Sequence, residues 1–454
     1  MSSKSTRQSV LFQDLFEKPV VATFDTEGQS SDGGVILLGS LDKGMKLTES
    51  LGEHLVDNRR QDRVEHPYLD LFRQRVYGIA LGYSDCNDAE RVGGDPCLKM
   101  ACDRSPLDSD EDLGSQPTLS RFENSQRARA MVGMQRELES QVIKRLARRR
   151  KNAKLVTIDL DPSCDPTHGQ QQFTLFHGYY DTWCYLPQFG FLSIDDEPEQ
   201  YLFHVRLRPG NARCYRGAIP LLRRIVPELR KRFSRAKIRV RLDGGFSNPG
   251  LLDVLDELKV QYVVGMKGNR VLDGYAEPSM QIVRTLTEKS GETETLYGEA
   301  QYKAKSWIRH RRVVIKAEVV RHPGRCPKDN TRFVITNLRH SPENVYKIYH
   351  LRGDPENRIK EMQELDSDRT SCTRFLANQL RLLMTATAYV LYQELRWRLR
   401  RTAAARAQVG RLRLMLMKIG TRVVESVRRI VLHFPLAHPW KDLWMAAARS
   451  VGAG

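Results

Sequence analysis

The amino-acid sequence predicts an α/β protein, in which a core of strands and helices carries a β-rich insertion between helical flanks. Two observations support this. Apolar residues recur with a helical period before about residue 150 and again after Pro355. Between these regions they alternate with polar residues, as in half-buried strands. We therefore divide the chain into a mostly helical region (1–150), a core (151–372) with an insertion at about 273–337, and a basic helical C-terminal region (373–454).

The charge balance limits the classes of partner. Among 454 residues, 73 Lys and Arg face 55 Asp and Glu, which gives a net charge of +18. Such a charge favours DNA, RNA or an anionic membrane, although a solvated basic surface has the same composition. The most apolar stretch, 375–395, is interrupted by Asn378, Gln379 and Arg381, so we expect a buried helix and no membrane partner.

The eight cysteines contain no C-x-x-C pair. This excludes the usual zinc-finger spacing and gives no sign of a secreted disulfide framework. A reduced cytosolic protein is the expectation. In the N-terminal region the pattern is largely helical from Gly33 to about Leu146, and the basic run 148–151 fits either a solvated linker or a DNA contact.

The core begins where the periodicity changes at Lys154, with a strand in which Val156, Ile158 and Leu160 alternate with polar residues. The remaining core elements are predicted as strands at 171–180 and 200–206, a basic helix at 217–233, a strand ending at Leu242, a helix starting near Pro249 and a strand at 261–266. The order β-β-β-α-β-α-β is that of a ribonuclease-H-like core. Helices are predicted at 355–365 and 372–397, followed by a basic helical tail at 398–432.

Acidic residues occur where these elements begin or end. Asp159 and Asp161 share one face of their strand, about 7 Å apart. Asp243 ends a strand before Gly-Gly, and Glu356 lies in the first turn of a helix after Asp354. Each alone suits a turn or a helix start. Together, in a basic chain, they predict metal-assisted phosphodiester chemistry, because divalent cations need anionic oxygen ligands.

Several separate motifs occur in one order along nearly the whole chain. Besides the acidic segments at 159–161, 241–246 and 352–361 they are 116–123, 165–171, 178–180 with 185–187, 262–269 and 418–420. With these motifs the sequence resembles the bacterial insertion-sequence transposases of the DDE type, specifically insertion-sequence family 1380, which is related to the hairpin-forming DDE transposases.

The resemblance implies a DNA transposase that cleaves transposon ends and transfers the freed 3′-hydroxyl into target DNA, with or without a hairpin intermediate. It implies a triad of Asp161, Asp243 and Glu356, with Asp159 as the alternative first member. The triad would hold two Mg²⁺ ions, which Mn²⁺ can replace. The implied partners are double-stranded DNA, as terminal inverted repeats and target, and a second copy of the chain, in the bacterial cytosol at the nucleoid.

Further residues are candidates for DNA contact. Tyr349, Arg352 and Glu356 match the spacing of the Tyr-Arg-Glu-Lys signature of the hairpin-forming relatives, but Gln363 replaces the lysine and Lys360 is the nearest cation. The resemblance also implies that Trp307 stacks on a flipped base, although a packing role is the alternative. Lys267 and Asn269 fit either phosphate contacts or a surface turn.

Two other functions remain open: an inactive or repurposed transposon-derived DNA-binding protein, and another nuclease of the same fold.

Overall fold

The computed structural model describes residues 9–453. The strands are β1 (Ser9–Phe12), β2 (Val20–Thr23), β3 (Gln29–Ser30), β4 (Leu155–Pro162), β5 (Asp165–Pro166), β6 (Leu175–His177), β7 (Thr182–Tyr185), β8 (Gln188–Ile194), β9 (Tyr201–Arg206), β10 (Lys237–Leu242), β11 (Gln261–Met266), β12 (Glu294–Tyr302), β13 (Arg311–Val320), β14 (Lys328–Thr336), β15 (Thr421–Ser426) and β16 (Arg429–His433). The α-helices are α1 (Val35–Met45), α2 (Leu47–Gly52), α3 (Tyr68–Leu81), α4 (Cys86–Arg91), α5 (Pro96–Ala101), α6 (Gln116–Ser125), α7 (Ala128–Arg149), α8 (Ala218–Arg232), α9 (Pro249–Glu257), α10 (Arg270–Ser290), α11 (Pro342–His350), α12 (Asp354–Gln363), α13 (Phe375–Arg398), α14 (Val409–Leu412) and α15 (Lys441–Ser450).

A mixed sheet of eight strands organises the molecule, in the order β12-β13-β14-β11-β10-β4-β8-β9. The central strands β4, β10 and β11 are parallel, and the remaining pairs are antiparallel. Because β4 and β10 run in the same direction, their carboxyl ends meet at one edge of the sheet. Side chains that follow these two strands are therefore brought together, although they are far apart in sequence.

The main difference from the sequence prediction is the position of the second core strand. The predicted strand at 171–180 is wrong as a core strand, because only Leu175–His177 is extended and it belongs to a small sheet ordered β5-β7-β6. The strand that pairs with β4 is β8, Gln188–Ile194. Every residue of β8 is buried, and its segment Phe189–Leu192 contains no polar side chain, so it lacks the polar alternation of β4 and β10.

The predicted β-rich insertion is only partly β. Its first third is helical, because α10 continues to Ser290, and only β12, β13 and β14 are strands. These strands extend the large sheet, with β14 paired to β11. Met280 and Val283 of α10 pack on Ala317 and Val319 of β13, which covers this wing of the sheet.

The helical flanks pack on the core through one extended hydrophobic cluster. The predicted helical pattern of the N-terminal region is confirmed in α1 to α7. The predicted helix at 372–397 is present as α13, which is buried over most of its length. Among residues 9–453, no helix combines the length and apolar character needed to cross a membrane.

The prediction of a helical tail through Leu432 is wrong at its end, where β15 and β16 form a hairpin. β15 also pairs with β3, so that Thr421 lies opposite Ser30. Nearby, Lys418 forms an ion pair of 2.7 Å with Asp32. Contacts with a distant part of the chain therefore accompany strand formation in this segment, and the local basic pattern does not reveal them.

Candidate active site

The acidic residues predicted from the sequence lie at the carboxyl edge of the central strands. Asp161 is the second-last residue of β4, and Asp243 follows β10 directly. Glu356 lies in the first turn of α12, which contacts β4. Parallel pairing of β4 and β10 and the approach of α12 thus bring together three carboxylates from segments separated by many residues.

Arg352 joins two of these carboxylates. Its Nη1 lies 3.4 Å from Asp161 Oδ2, and its Nη2 donates to Glu356 Oε1 at 2.9 Å. Burial alone would lower the pKa of Arg352, but Asp161 and the other nearby acidic groups raise it above its usual value. Arg352 is therefore the counter-ion of the acidic cluster, which we define as Asp161, Asp243 and Glu356.

Asp161 is the most perturbed member of the acidic cluster. Its side chain is buried, and this burial raises its pKa to about 7. Arg352 opposes the rise, whereas the negative charges of Asp243 and Glu356 add to it. The site thus concentrates more negative charge than its own arginine neutralises, as expected where a cation or a proton is taken up.

Asp243 is held by the backbone that follows it. Its Oδ1 accepts a hydrogen bond of 2.9 Å from the amide of Gly245, which lies in a single 3₁₀ turn at Gly244–Phe246. Burial raises the pKa of Asp243, and Arg352 opposes this rise. The turn packs closely on β11, since a Cβ added to Gly265 would come within 2.9 Å of the Gly244 nitrogen.

Asp159 has a different environment from Asp161, although the two share a strand face. Both of its oxygens accept from Arg241, from Nε at 2.8 Å and from Nη2 at 2.7 Å. The two residues lie directly opposite each other in the β4–β10 register, and both side chains are buried. The carboxylate of Asp159 is therefore already neutralised within the sheet.

Tyr349 lies beside the acidic cluster on α11. A Cβ on Gly265 would stand only 2.5 Å from its hydroxyl, so the absence of a side chain at residue 265 creates its space. Burial raises the pKa of Tyr349, and Asp243 contributes to this rise. Lys360 is exposed one turn after Glu356 on α12.

The three other candidates for DNA contact differ in their accessibility. Lys267 is exposed directly after β11, near Gly244. Asn269 caps α10, accepting from the amides of Val271 and Leu272, so its side-chain oxygen has a structural role. Trp307 is only 7% exposed and packs edge-on against Tyr302 with ring centroids 5.4 Å apart. Stacking of Trp307 on a base would require the ring to leave this position.

Two neighbours of the acidic cluster were not identified as site residues from the sequence. Cys214 packs on the turn after Asp243, where a Cβ on Gly245 would meet its Sγ at 2.8 Å. Tyr180 has a pKa raised to about 12 by burial, with nearby Cys214, Asp161 and Asp243 among the smaller causes. Tyr180 belongs to a motif that the resemblance includes, whereas nothing in the local sequence marks Cys214.

No group of three or more His, Cys, Asp and Glu side chains in the described part of the chain has an arrangement that could hold a metal ion. In the acidic cluster, the Arg352 guanidinium contacts two of the carboxylates that would have to converge. The donor set nevertheless suits a hard divalent cation, because it consists of carboxylate oxygens. Burial, together with the charges of Asp243 and Glu356, raises the pKa of Asp161.

Comparison with known proteins identifies the family of the chain. A family model described as Transposase DDE domain group 1 matches residues 12–452, nearly the whole chain. A sequence search finds no curated protein that matches this chain. Three carboxylates at the ends of neighbouring strands and on a later helix, in a chain covered by this model, lead to one assignment: the protein belongs to the DDE transposase domain family.

Proposed function

We propose that this protein is an active transposase of the bacterial insertion-sequence family 1380, which cleaves DNA at transposon ends and joins the freed 3′-hydroxyl to target DNA. The observation that carries the proposal is the convergence of Asp161, Asp243 and Glu356 around Arg352. A chain of net charge +18 supplies the positive potential that binding of a polyanion requires.

The sheet order supports a ribonuclease-H-like core in this proposal. Strands β4, β8 and β9 form an antiparallel meander, and β10 and β11 add in parallel on the other side of β4. We assign 151–372 to this catalytic core, 1–150 to recognition of the transposon end and 373–454 to a basic C-terminal region.

Within this core, Asp161, Asp243 and Glu356 would hold two Mg²⁺ ions, or Mn²⁺ in their place. Such ions stabilise the charge on the attacking and leaving oxygens of a phosphodiester. Arg352 would release its carboxylates and turn towards a DNA phosphate, a ligand that suits its planar donor group. We propose that Lys360 and Lys267, both exposed, contact neighbouring phosphates.

The environments of the two β4 aspartates support Asp161 as the first member of the triad. Asp159 would act through Arg241, because their paired hydrogen bonds link β4 to β10 beneath the acidic cluster. Asp159 is then a positioning residue, since its oxygens are occupied within the protein. For Tyr349 we propose a related role, in which its ring keeps the turn after Asp243 against Gly265.

The proposed partners are double-stranded DNA and a second copy of the chain, in the bacterial cytosol. The β1–β2 hairpin supports self-association, because all of its strand residues are exposed and a two-stranded hairpin alone is marginally stable. Between Ser9 and Gly28 there are four carboxylates and one lysine, so this segment suits a basic protein surface better than DNA.

The test is Mg²⁺-dependent cleavage of a duplex carrying the terminal inverted repeat. We expect Asp243→Asn to bind the repeat with unchanged affinity but to lose cleavage, because one metal ligand is removed. Asp442→Asn, an isosteric change of an exposed carboxylate on α15, serves as the matched control and should cleave normally.

The outcomes separate the competing functions. Normal cleavage by Asp243→Asn would remove Asp243 from the site. DNA binding without cleavage by the wild-type chain would favour a repurposed DNA-binding protein. Cleavage without transfer of a pre-cut 3′ end to a target plasmid would favour another nuclease of this fold.

A further inference from the structure

An exposed cluster of aromatic side chains lies on the β6–β7 hairpin. Phe176, Tyr179, Tyr180 and Trp183 are 48%, 80%, 39% and 55% exposed. Phe176 and Trp183 face each other across the two strands, with ring centroids 6.2 Å apart. Tyr179 and Tyr180 meet edge-on in the turn at 5.0 Å. We call residues 175–185 the aromatic hairpin; its four exposed rings are not part of the acidic cluster.

The aromatic hairpin is attached to the candidate active site on two sides. Strand β5, which begins at Asp165 shortly after Asp161, pairs with β7. The loop 207–217 forms the second attachment. In this loop Gly210 packs against the carbonyls of Leu175 and Cys184, where an added Cβ would come within 2.3 Å of both oxygens. Cys214 in the same loop packs on the turn after Asp243.

Three exposed arginines lie on or next to the loop that attaches the hairpin. Arg213 and Arg216 are exposed on the attaching loop, and Arg206 is exposed at the end of β9. Within residues 9–453 none of these three arginines has a carboxylate within ion-pair distance. Asp181 is the carboxylate of the hairpin turn itself and is exposed. Exposed rings on the hairpin, with unpaired cations on and next to its attaching loop, suit a ligand that has both flat apolar faces and negative charge.

We propose that the aromatic hairpin is a stacking platform for unpaired nucleobases of the DNA strand whose phosphodiester lies at the acidic cluster. This inference rests on the proposed function and adds a second binding surface to it. Bases of an intact duplex are already stacked and paired, so only frayed or single-stranded nucleotides can use the rings. The arginines would contact the backbone of the same nucleotides.

The experiment compares two DNA ligands in the absence of divalent cations, so that no cleavage occurs. One is a blunt duplex, and the other is the same duplex with a short single-stranded extension carrying 2-aminopurine. We expect Trp183→Ala to weaken binding of the extended duplex about tenfold, a typical loss for one stacked base. The blunt duplex should bind with unchanged affinity. Wild-type protein should quench 2-aminopurine, and the variant should not.

Two further variants exclude simpler explanations. Trp183→Leu keeps an apolar side chain and removes the flat ring, so it should behave as Trp183→Ala if stacking is the cause. Tyr275→Ala changes a ring that is 49% exposed on α10 and should bind both DNAs normally. Thermal melting of each variant establishes that it is folded.

The proposal is overturned if Trp183→Ala binds both DNAs like the wild type, or if both affinities fall equally. It is also overturned if the substitution alters the sedimentation of the protein alone, because the rings would then form a protein interface. If the wild-type chain binds neither DNA, the proposed function itself fails.

Discussion

The carboxylate of Asp159 and the guanidinium of Arg241 form a buried pair with two hydrogen bonds, of 2.8 and 2.7 Å. They face each other across the parallel strands β4 and β10. Two residues further along β4, Asp161 has no partner within the sheet and instead meets Arg352 at its edge. Asp159 therefore links the two strands, whereas the carboxylate of Asp161 lies at the edge of the sheet, where a ligand can reach it.

This division predicts opposite effects of two isosteric substitutions. Asp159→Asn should lower the free energy of unfolding by about 3–5 kcal/mol, because Arg241 would remain buried without its counter-ion. Asp161→Asn should not lower it, since a buried carboxylate is replaced by a neutral amide, but should abolish cleavage. Urea denaturation and cleavage of a terminal-repeat duplex measure both effects. A stable Asp159→Asn variant that cannot cleave DNA would contradict the assignment of Asp159 as a positioning residue and of Asp161 as the triad member.

Removal of the counter-ion at the acidic cluster should alter metal affinity. In Arg352→Gln the carboxylates of Asp161 and Glu356 lose a cation at contact distance. We expect Mn²⁺ to bind about tenfold more tightly in calorimetric titration, because repulsion at such a distance exceeds about 1 kcal/mol. Cleavage should fall despite this gain. Lys360→Gln, on the exposed face of α12, is the control and should leave Mn²⁺ affinity unchanged.

The close packing at Gly265 predicts a loss of activity from one added methyl group. In Gly265→Ala the new Cβ would lie 2.5 Å from the Tyr349 hydroxyl and 2.9 Å from the Gly244 nitrogen. Displacement of the turn after Asp243 should reduce cleavage strongly and cost about 1–3 kcal/mol of stability. Gly274→Ala, with open space around its Cβ within α10, should leave cleavage intact and slightly raise the melting temperature. Equal activity of the two variants would refute the packing argument.

A buried ion-pair cluster predicts pH-dependent stability. Glu139 of α7 contacts His204 Nδ1 at 2.7 Å and also pairs with Arg224 of α8. Burial alone would raise the pKa of Glu139, but the hydrogen bonds from His204 and Arg224 bring it below the usual 4.5. The stabilisation is therefore present above pH 4.5 and is lost as the pH falls through the lowered folded pKa.

Glu139→Gln should accordingly lower the free energy of unfolding by about 1.5–3 kcal/mol at pH 7, because the buried carboxylate loses its charge-assisted hydrogen bonds with Arg224 and His204. The difference from the wild type should narrow below about pH 4.5, where the wild-type carboxyl is increasingly protonated. Urea denaturation at a series of pH values measures this. A difference that stays constant from pH 7 to pH 3 would show that the charge of Glu139 does not contribute. Glu228→Gln, an exposed partner of Arg232 on α8, is the control and should have little effect.

Local patterns in the sequence predicted most of the core elements. Alternation identified β4 and β10, and the Asn-Pro start identified α9. The segments 200–206 and 261–266 were also predicted as strands and are present as β9 and β11. Alternation missed β8, because its segment Phe189–Leu192 contains no polar side chain. It also missed the β15–β16 hairpin, which pairs with β3 near the other end of the chain. Local periodicity cannot report pairing of this kind.

The sequence by itself predicted that Asp161, Asp243 and Glu356 lie near the ends of two strands and the start of a helix. It also determined membership of the DDE transposase domain family, whose model matches residues 12–452. Only the tertiary structure decided that Asp159 forms a buried ion pair with Arg241, and that Arg352 forms ion pairs with two carboxylates. It also decided that Trp307 is buried while Trp183 is exposed. The physical reason is that two residues on one strand face are equivalent in periodicity, and the register of the neighbouring strand determines which of them meets a partner.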